Sequence, residues 1–353
     1  MNPIFHCELE YISSQHLNQL YDGFLKLEKK KIITLSIKKS TGDPTKPLLK
    51  VILKINNSKK QWILYYDTLD GLNWIHGSTE ENLLYFQNNF NCDYYFKRSF
   101  NKDIVKYAPK MCKVFPLGLN YNIEPKYSIN PISIVTVKKH LKELIRESSH
   151  KSLFYSSDFE FPPIPNKKTK IFFLTRLWDP DKVSLSSSKK ERKEMNQFRI
   201  NCIKRCRKEF GELFTGGLQK NEFTVQNAKE LIAPSNLTNR INFIKTTKEH
   251  NICITTTGLH SSTGWKFGEY MAASRAIISE PLLYDAPGDF SCDKNYYEFN
   301  SEDELIEKIY KLLNNRDKMN EMMHNNFNYY NNYLKSENLI LNTLMTVYYE
   351  QNK

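Results

Sequence analysis

Short apolar runs alternate with amphipathic stretches along most of the chain, and the runs read as strands. Residues 32–37, 48–55 and 61–66 (Gln-Trp-Ile-Leu-Tyr-Tyr) are three of them, the last ending at Asp67. Residues 78–89 fit a helix, 92–96 a strand and 102–107 a short helix. A strand at 112–115 then runs into Pro116-Leu117-Gly118-Leu119. Strands separated by helices of about 10 residues predict a parallel sheet with crossovers. The stretch before residue 32 carries no clear pattern.

Between residues 122 and 170 the pattern weakens. Pro125, Pro131, Pro162, Pro163 and Pro165 punctuate it around one helical segment at 137–147. The predicted boundary is Phe161-Pro162-Pro163-Ile164-Pro165-Asn166-Lys167-Lys168. A second α/β run follows, with strands at 169–175, 212–215, 240–243, 252–256 and 276–280. Its helices fall at 189–210, 228–231, 263–274 and 302–314, before a mostly helical tail over 316–349. The predicted class is α/β: one α/β domain over 1–165, a second over 166–335, and a C-terminal helix over 336–353 that packs back on the first.

Composition adds to this picture. A length of 353 residues suits two domains, and 40% hydrophobic with 25% charged residues excludes a disordered composition. With 51 Lys+Arg against 39 Asp+Glu the net charge is +12, which favours anionic partners: nucleic acid, anionic lipid or a phosphate-bearing ligand. The 7 cysteines are scattered without a Cys-x-x-Cys, and no Cys/His pair near Cys202 and Cys206 completes a zinc site. Reduced thiols in a cytosolic protein are expected. Met1-Asn2-Pro3-Ile4-Phe5-His6-Cys7-Glu8 has no basic leader and no apolar stretch behind it. No run reaches the ~18–20 apolar residues of a membrane span. The expected location is cytoplasmic, with peripheral contact at the inner face of an anionic membrane.

The stretch 255–281 carries most of the candidate chemistry. It reads as strand, loop of small polar residues, helix and strand. Gly258, Ser261, Ser262, Thr263 and Gly264 then fall at the carboxyl end of a strand and the start of a helix. Ligands of α/β sheets bind there, and free N–H groups with the helix dipole favour phosphate. Lys266 and Glu269 are three apart and share a helix face. Two readings stand side by side. One is a solvated Lys–Glu pair behind a Ser-Ser-Thr cap. The other is a nucleoside diphosphate site, with Lys266 neutralising phosphate and Glu269 accepting ribose hydroxyls. The loop is too loose for a Walker A motif, and no Gly-x-Gly-x-x-Gly occurs.

Trp265-Lys266-Phe267-Gly268-Glu269-Tyr270-Met271-Ala272-Ala273-Ser274-Arg275-Ala276-Ile277-Ile278 resembles the Lys-x-x-Glu-Tyr-Leu-Ala-x-Gly-x-Pro-Val-Val element of GT-B glycosyltransferases, above all the group 1 enzymes of bacteria. Pro287-Gly288-Asp289-Phe290, Asn295-Tyr296 and the helix from Glu302 continue the likeness, which covers residues 168–345. It implies two Rossmann-like domains facing each other across a cleft, the second binding a nucleotide-diphosphate sugar. Glu269 would hold the ribose and Lys266 face the diphosphate. In that family a strand ending in Gly-Arg-Leu and a nearby lysine clamp the diphosphate. Here Arg176, in Phe172-Phe173-Leu174-Thr175-Arg176-Leu177, matches the arginine and Lys182 approximately the lysine; a surface Arg176 paired with Asp179 or Asp181 is the competing reading. Two positions depart: Ser261 stands where many members have a second glutamate, and Ser274 where the turn is usually glycine.

Other positions add detail. Gly217, in the Gly216-Gly217 pair, offers either close approach of a nucleotide or a plain turn. His260 is read as orienting a phosphate or sugar hydroxyl. Asp179-Pro180-Asp181 has the spacing of a metal-binding Asp-x-Asp, but its proline and the two-domain layout argue against that, so no metal and no cofactor beyond the donor are expected. The acceptor side falls to the first domain, where Asp67 and Asp70, with His76 close behind, are general-base candidates. An Asp70-Gly71 turn is the competing reading. The basic helix over 189–210 spaces Met195, Phe198, Ile200 and Ile203 for core contact. No nucleic-acid module is evident, and a solvated face or membrane contact is expected of this helix and of the cluster at 138–151.

These readings converge on a metal-independent glycosyltransferase. It would pass a sugar from a nucleotide-diphosphate sugar to a saccharide or lipid-linked saccharide in bacterial surface-polysaccharide biosynthesis. The alternative from another class is a non-catalytic basic α/β protein that binds nucleic acid or acts as a scaffold.

Overall fold

The computed structural model describes residues 3–40, 42–43, 46–56, 58–127 and 153–352. Pro131, the helix expected at 137–147 and the basic cluster at 138–151 lie outside them. The chain forms two α/β units. The first takes Met1–Asp158, Leu283–Gly288 and Asn331–Lys353; the second takes Phe159–Leu282 and Asp289–Tyr330.

In the first unit, β1 (Phe5–Tyr11), β2 (Ile33–Lys39), β3 (Leu48–Ile55), β4 (Gln61–Asp67), β5 (Tyr94–Lys97) and β6 (Lys113–Pro116) form one sheet in the order β2-β1-β3-β4-β5-β6. β3 runs antiparallel to β1 and β4, while β1 pairs with β2, and β4 with β5 and β5 with β6, in parallel. The expected parallel arrangement therefore departs at β3. Only residues 56–60 join it to β4, and a parallel crossover needs about a dozen. The patternless start of the chain supplies β1 and α1 (Asn18–Lys29). Leu20, Phe24 and Leu27 of α1 and Leu339, Ile340, Leu344 and Val347 of the C-terminal helix Ser336–Gln351 bury one sheet face. On the other face α2 (Thr79–Asn89), opened by a Ser78/Glu81 capping box, packs Leu83 and Phe86 near Tyr95 and Val114.

In the second unit, β7 (Ile171–Thr175), β8 (Phe214–Leu218), β9 (Ile252–Thr255), β10 (Ala276–Ser279) and β11 (Tyr296–Glu298) form an all-parallel sheet in the order β11-β10-β9-β7-β8. Every residue of β7, β9 and β10 is buried, as strands covered on both faces must be. The longer helices are α3 (Ser186–Phe210), α4 (Arg240–Glu249), α5 (Trp265–Ala272), α6 (Glu302–Asn314) and α7 (Arg316–Tyr329). Residues 240–243, expected as a strand, instead open α4, because the Asn239 side chain accepts the Ile241 N–H and caps a helix there.

The strand order of this sheet reverses at β7. The chain passes from β7 to β8 on one side and returns to β9 on the other, and such a reversal leaves a crevice at the carboxyl ends of the strands. The β7–β9 ladder consists of Ile171 with Ile252 and Phe172 with Cys253. Past those pairs the two strands run on side by side without further ladder pairs.

Candidate functional site

Lys266 reaches the carboxyl-terminal part of β7 from the first turn of α5. Its Nζ donates to the carbonyl of Leu174 at 2.5 Å, on the part of β7 that has left the ladder. Burial pulls its ammonium down to about 7; Glu269 opposes that, and Arg199, Arg176 and Arg240 add to it. The guanidinium carbon of Arg176, the first residue after β7, lies 3.8 Å from the centre of the Trp178 ring. Trp178 is itself fixed from α3: Asn196 accepts its N–H at 2.9 Å and donates to its carbonyl at 2.6 Å.

Glu269 stands one turn along α5 from Lys266 and is only 2% exposed. Arg240, from α4, donates to its Oε1 at 2.7 Å, and its guanidinium carbon lies 4.8 Å from the Phe159 ring centre. The second oxygen, Oε2, is buried without a hydrogen-bond partner. An ionised carboxylate accepts several hydrogen bonds, and leaving a buried oxygen unmet is costly unless a ligand completes it.

The loop before α5 is tightly built. His260 and Ser261 both take left-handed backbone conformations, with φ of 59° and 53°, which cost a side-chain-bearing residue energy. The Gly258 N–H closes the loop on the Ser262 carbonyl at 2.7 Å, and the His260 N–H donates to Glu191 at 2.6 Å. Ser262 is buried, Thr263 half-buried, and the imidazole of His260 is at the surface. Gly264 occupies the N-cap of α5 with no side chain closing the helix end, and a Cβ added there would meet nothing within 4 Å. The positive end of the helix dipole lies at this end, which no side chain caps. Beside this loop a cavity of about 500 Å³ runs along α3, lined among others by Glu191, Thr257, Ser261, Glu280 and Asn300.

The remaining expected residues fall elsewhere. Lys182 is exposed in the turn after Asp179, whose side chain accepts the Asp181 N–H at 2.9 Å in a local turn. A Cβ on Gly217 would lie 2.5 Å from the Leu231 carbonyl and 2.8 Å from Arg207 Nη2, so its glycine serves the packing of β8. Part of the basic helix's charge is held locally: Arg207 bonds the carbonyls of Gly216, Glu230 and Leu231, and Arg205 pairs with Asp303 at the surface, at 2.7 Å.

In the first unit, Asp67 is a correction. It is 1% exposed, and both oxygens are taken: Oδ1 by the Leu69 N–H with Lys97 at 3.3 Å, Oδ2 by Trp74 Nε1 and the Tyr95 hydroxyl. A carboxylate so committed holds the sheet end together and leaves no lone pair for a substrate proton. Asp70 pairs with the buried Arg98, yet its side chain remains 46% exposed. Sequence reasoning missed His16, which follows β1. Burial lowers its pKa; Asp70 opposes the shift and Arg98 reinforces it. It also missed Arg199 and Arg240.

No protein-family model matches the chain, and no curated protein matches it. Among solved structures it is similar to the C-terminal domain of a group 1 glycosyl transferase family protein (LpcC) from Francisella tularensis. That match has 15% identity and a TM-score of 0.34, and covers 50% of this chain and 95% of that one. It is also similar to HepE from Anabaena in complex with UDP and glucose, at 14% identity and a TM-score of 0.42, over 80% of this chain and 70% of that one. A UDP co-structure of S. aureus MnaA aligns at 11% identity and a TM-score of 0.42, over 96% of this chain and 95% of that one. Five other similar structures are longer, and the chain spans 60% to 64% of them.

Proposed function

We propose that the second unit binds the nucleoside diphosphate half of a nucleotide sugar and that the protein is a glycosyltransferase. The observation that carries this reading is the Glu269 carboxylate, held by Arg240 on one buried oxygen and unpaired on the other. It lies one turn from Lys266 and the uncapped start of α5. Vicinal ribose hydroxyls suit the unpaired oxygen, and a diphosphate suits the adjoining cations and helix end.

When the bond from sugar to diphosphate breaks, negative charge grows on the departing phosphate. Arg176, Lys266 and the positive end of α5 would face that charge, and so bind it more strongly as the reaction proceeds. These cations supply the electrostatic work that a divalent metal performs in other transferases. The acceptor, a saccharide or lipid-linked saccharide, follows from the sequence resemblance. Asp70, with its exposed face, replaces Asp67 as the acceptor-side base.

Thermal-shift and calorimetric titrations with UDP, GDP, CDP, ADP and their sugar conjugates, beside a single-stranded oligonucleotide, test the reading. At least one nucleoside diphosphate is expected to stabilise the protein, and Glu269→Ala to weaken that binding. Stabilisation by the oligonucleotide alone would replace the proposal with nucleic-acid binding.

A further inference from the structure

We infer that Arg199 is a positioning residue of this site: a buried, fixed cation that sets the two sides of the crevice and biases it toward phosphate. The inference rests on the nucleoside diphosphate reading above.

The starting point is the inward face of α3, made of Asn196, Arg199, Cys202, Ile203, Cys206 and Phe210. Four of these are apolar and belong in the core; the two at the β7 end are not. Arg199 is 4% exposed, and a cation out of water is expensive unless its surroundings need it. Its planar fork meets three acceptors at fixed angles. Nη1 donates to the Arg176 carbonyl at 2.7 Å, on the β7 side of the crevice. Nη2 donates to the Thr257 carbonyl at 2.7 Å and Nε to Thr256 Oγ1 at 3.0 Å, both on the β9 side. One rigid group therefore spans the place where the β7–β9 ladder has ended. All three acceptors are uncharged. Glu280, a carboxylate close enough to act on Arg199, is engaged by the N–H and hydroxyl of Thr257.

Each loop tied down in this way carries part of the anion site. The β7 loop presents Arg176 against Trp178, which Asn196 of the same α3 face also holds. The β9 loop leads through Gly258 to Gly264 and the amides of α5. A neutral donor could meet the same carbonyls. A guanidinium adds a charge that reaches Arg176 and Lys266, and it stays fixed when ligand arrives.

Two substitutions separate charge from bracing. Arg199→Gln keeps N–H donors and removes the charge; Arg199→Lys keeps the charge and removes the fork. The probes are inorganic pyrophosphate, titrated by calorimetry, and the Lys266 side-chain amine, titrated by NMR in the ligand-free protein. Melting curves report folding. In Arg199→Gln, pyrophosphate binding is expected to weaken about tenfold and the Lys266 midpoint to rise. In Arg199→Lys the midpoint stays near the wild-type value, while binding weakens several-fold because the two loops lose their shared donor. A folded Arg199→Gln with unchanged binding and an unmoved Lys266 midpoint overturns the inference. Should that variant not fold, Arg199→Lys decides alone, and wild-type binding by a folded Arg199→Lys counts against it. Wild-type protein that binds neither pyrophosphate nor any nucleoside diphosphate fails the site reading itself and this inference with it. Wild-type binding beside an indifferent Arg199→Gln fails this inference only.

Discussion

Arg240 donates to one oxygen of Glu269 at 2.7 Å, while the other oxygen of the same carboxylate is buried and unsatisfied. The two residues are 29 positions apart, on α4 and α5, and the ion pair fixes the carboxylate with one edge unused. A carboxylate held this way keeps acceptor capacity for hydroxyl groups.

Glu269→Gln should therefore divide two ligands. Binding of the preferred nucleoside diphosphate is expected to weaken by about tenfold, because a neutral amide accepts hydroxyls less strongly than a carboxylate. Binding of inorganic pyrophosphate, which has no ribose, should hold or tighten, since a negative charge leaves a cationic site. Calorimetry on both ligands checks this, and equal weakening of the two would mean the substitution had damaged the fold.

Anion binding should take up a proton at Lys266. Its ammonium is depressed to about 7, chiefly by burial, so near neutral pH a fraction of the unliganded protein carries a neutral amine there. A bound diphosphate favours the charged form and raises that pKa. Affinity is thus fully present below about 7 and falls as pH rises through and above that value, until the raised pKa of the complex is reached. Titration in buffers of differing ionisation enthalpy should show net proton uptake near pH 7, and Lys266→Met should abolish it. Proton release on binding would contradict the assignment.

Much of the scaffold was legible because its segments are long and regular. β3 to β6, α3, α6 and α7 follow simple apolar spacing, and Lys266 and Glu269 stand out at three apart beside a small-residue loop. β1 escaped notice although Phe5, Cys7 and Leu9 alternate inward, because the chain on either side gives no framing. The stretch 240–243 has too few residues to separate a strand from the start of a helix, and the Asn239 cap decided it. Arg199 was hidden among many cations of one helix; the sign that could have singled it out is its position on the stripe of Cys202, Ile203 and Cys206. Asp67 was correctly placed at a strand end, but its partners Trp74, Tyr95 and Lys97 arrive from other segments, and only the fold shows that they use it up.

Asp67→Asn should act on stability and not on ligand binding. Lys97 is 0% exposed and already pushed down by burial, with Asp67 as its compensating charge. Removing one partner of such a pair costs about 3 kcal/mol or more. Urea unfolding should show that loss, with a change in Trp74 emission because its indole N–H loses a charged acceptor. Nucleoside diphosphate affinity should be unchanged. Full stability combined with abolished transfer would restore Asp67 as a base candidate.

Two glycines on helices should respond in opposite ways to the same methyl group. At Gly23 in α1 a Cβ would lie 2.3 Å from the Ser336 carbonyl and 2.6 Å from Ile340 Cγ1, so Gly23→Ala forces the C-terminal helix away. The gain in helix propensity, about 1 kcal/mol, opposes an overpacking cost of about 1–3 kcal/mol. Backbone atoms set the limit here, so a net loss of stability is expected. At Gly264 a Cβ meets nothing within 4 Å, and the backbone angle of −69° is open to alanine. Gly264→Ala should melt within a degree or two of wild type yet bind pyrophosphate less well, because the methyl occupies space in front of the α5 amides. The stability and binding effects would then fall on different residues. Unimpaired pyrophosphate binding by Gly264→Ala would instead move the anion away from the start of α5.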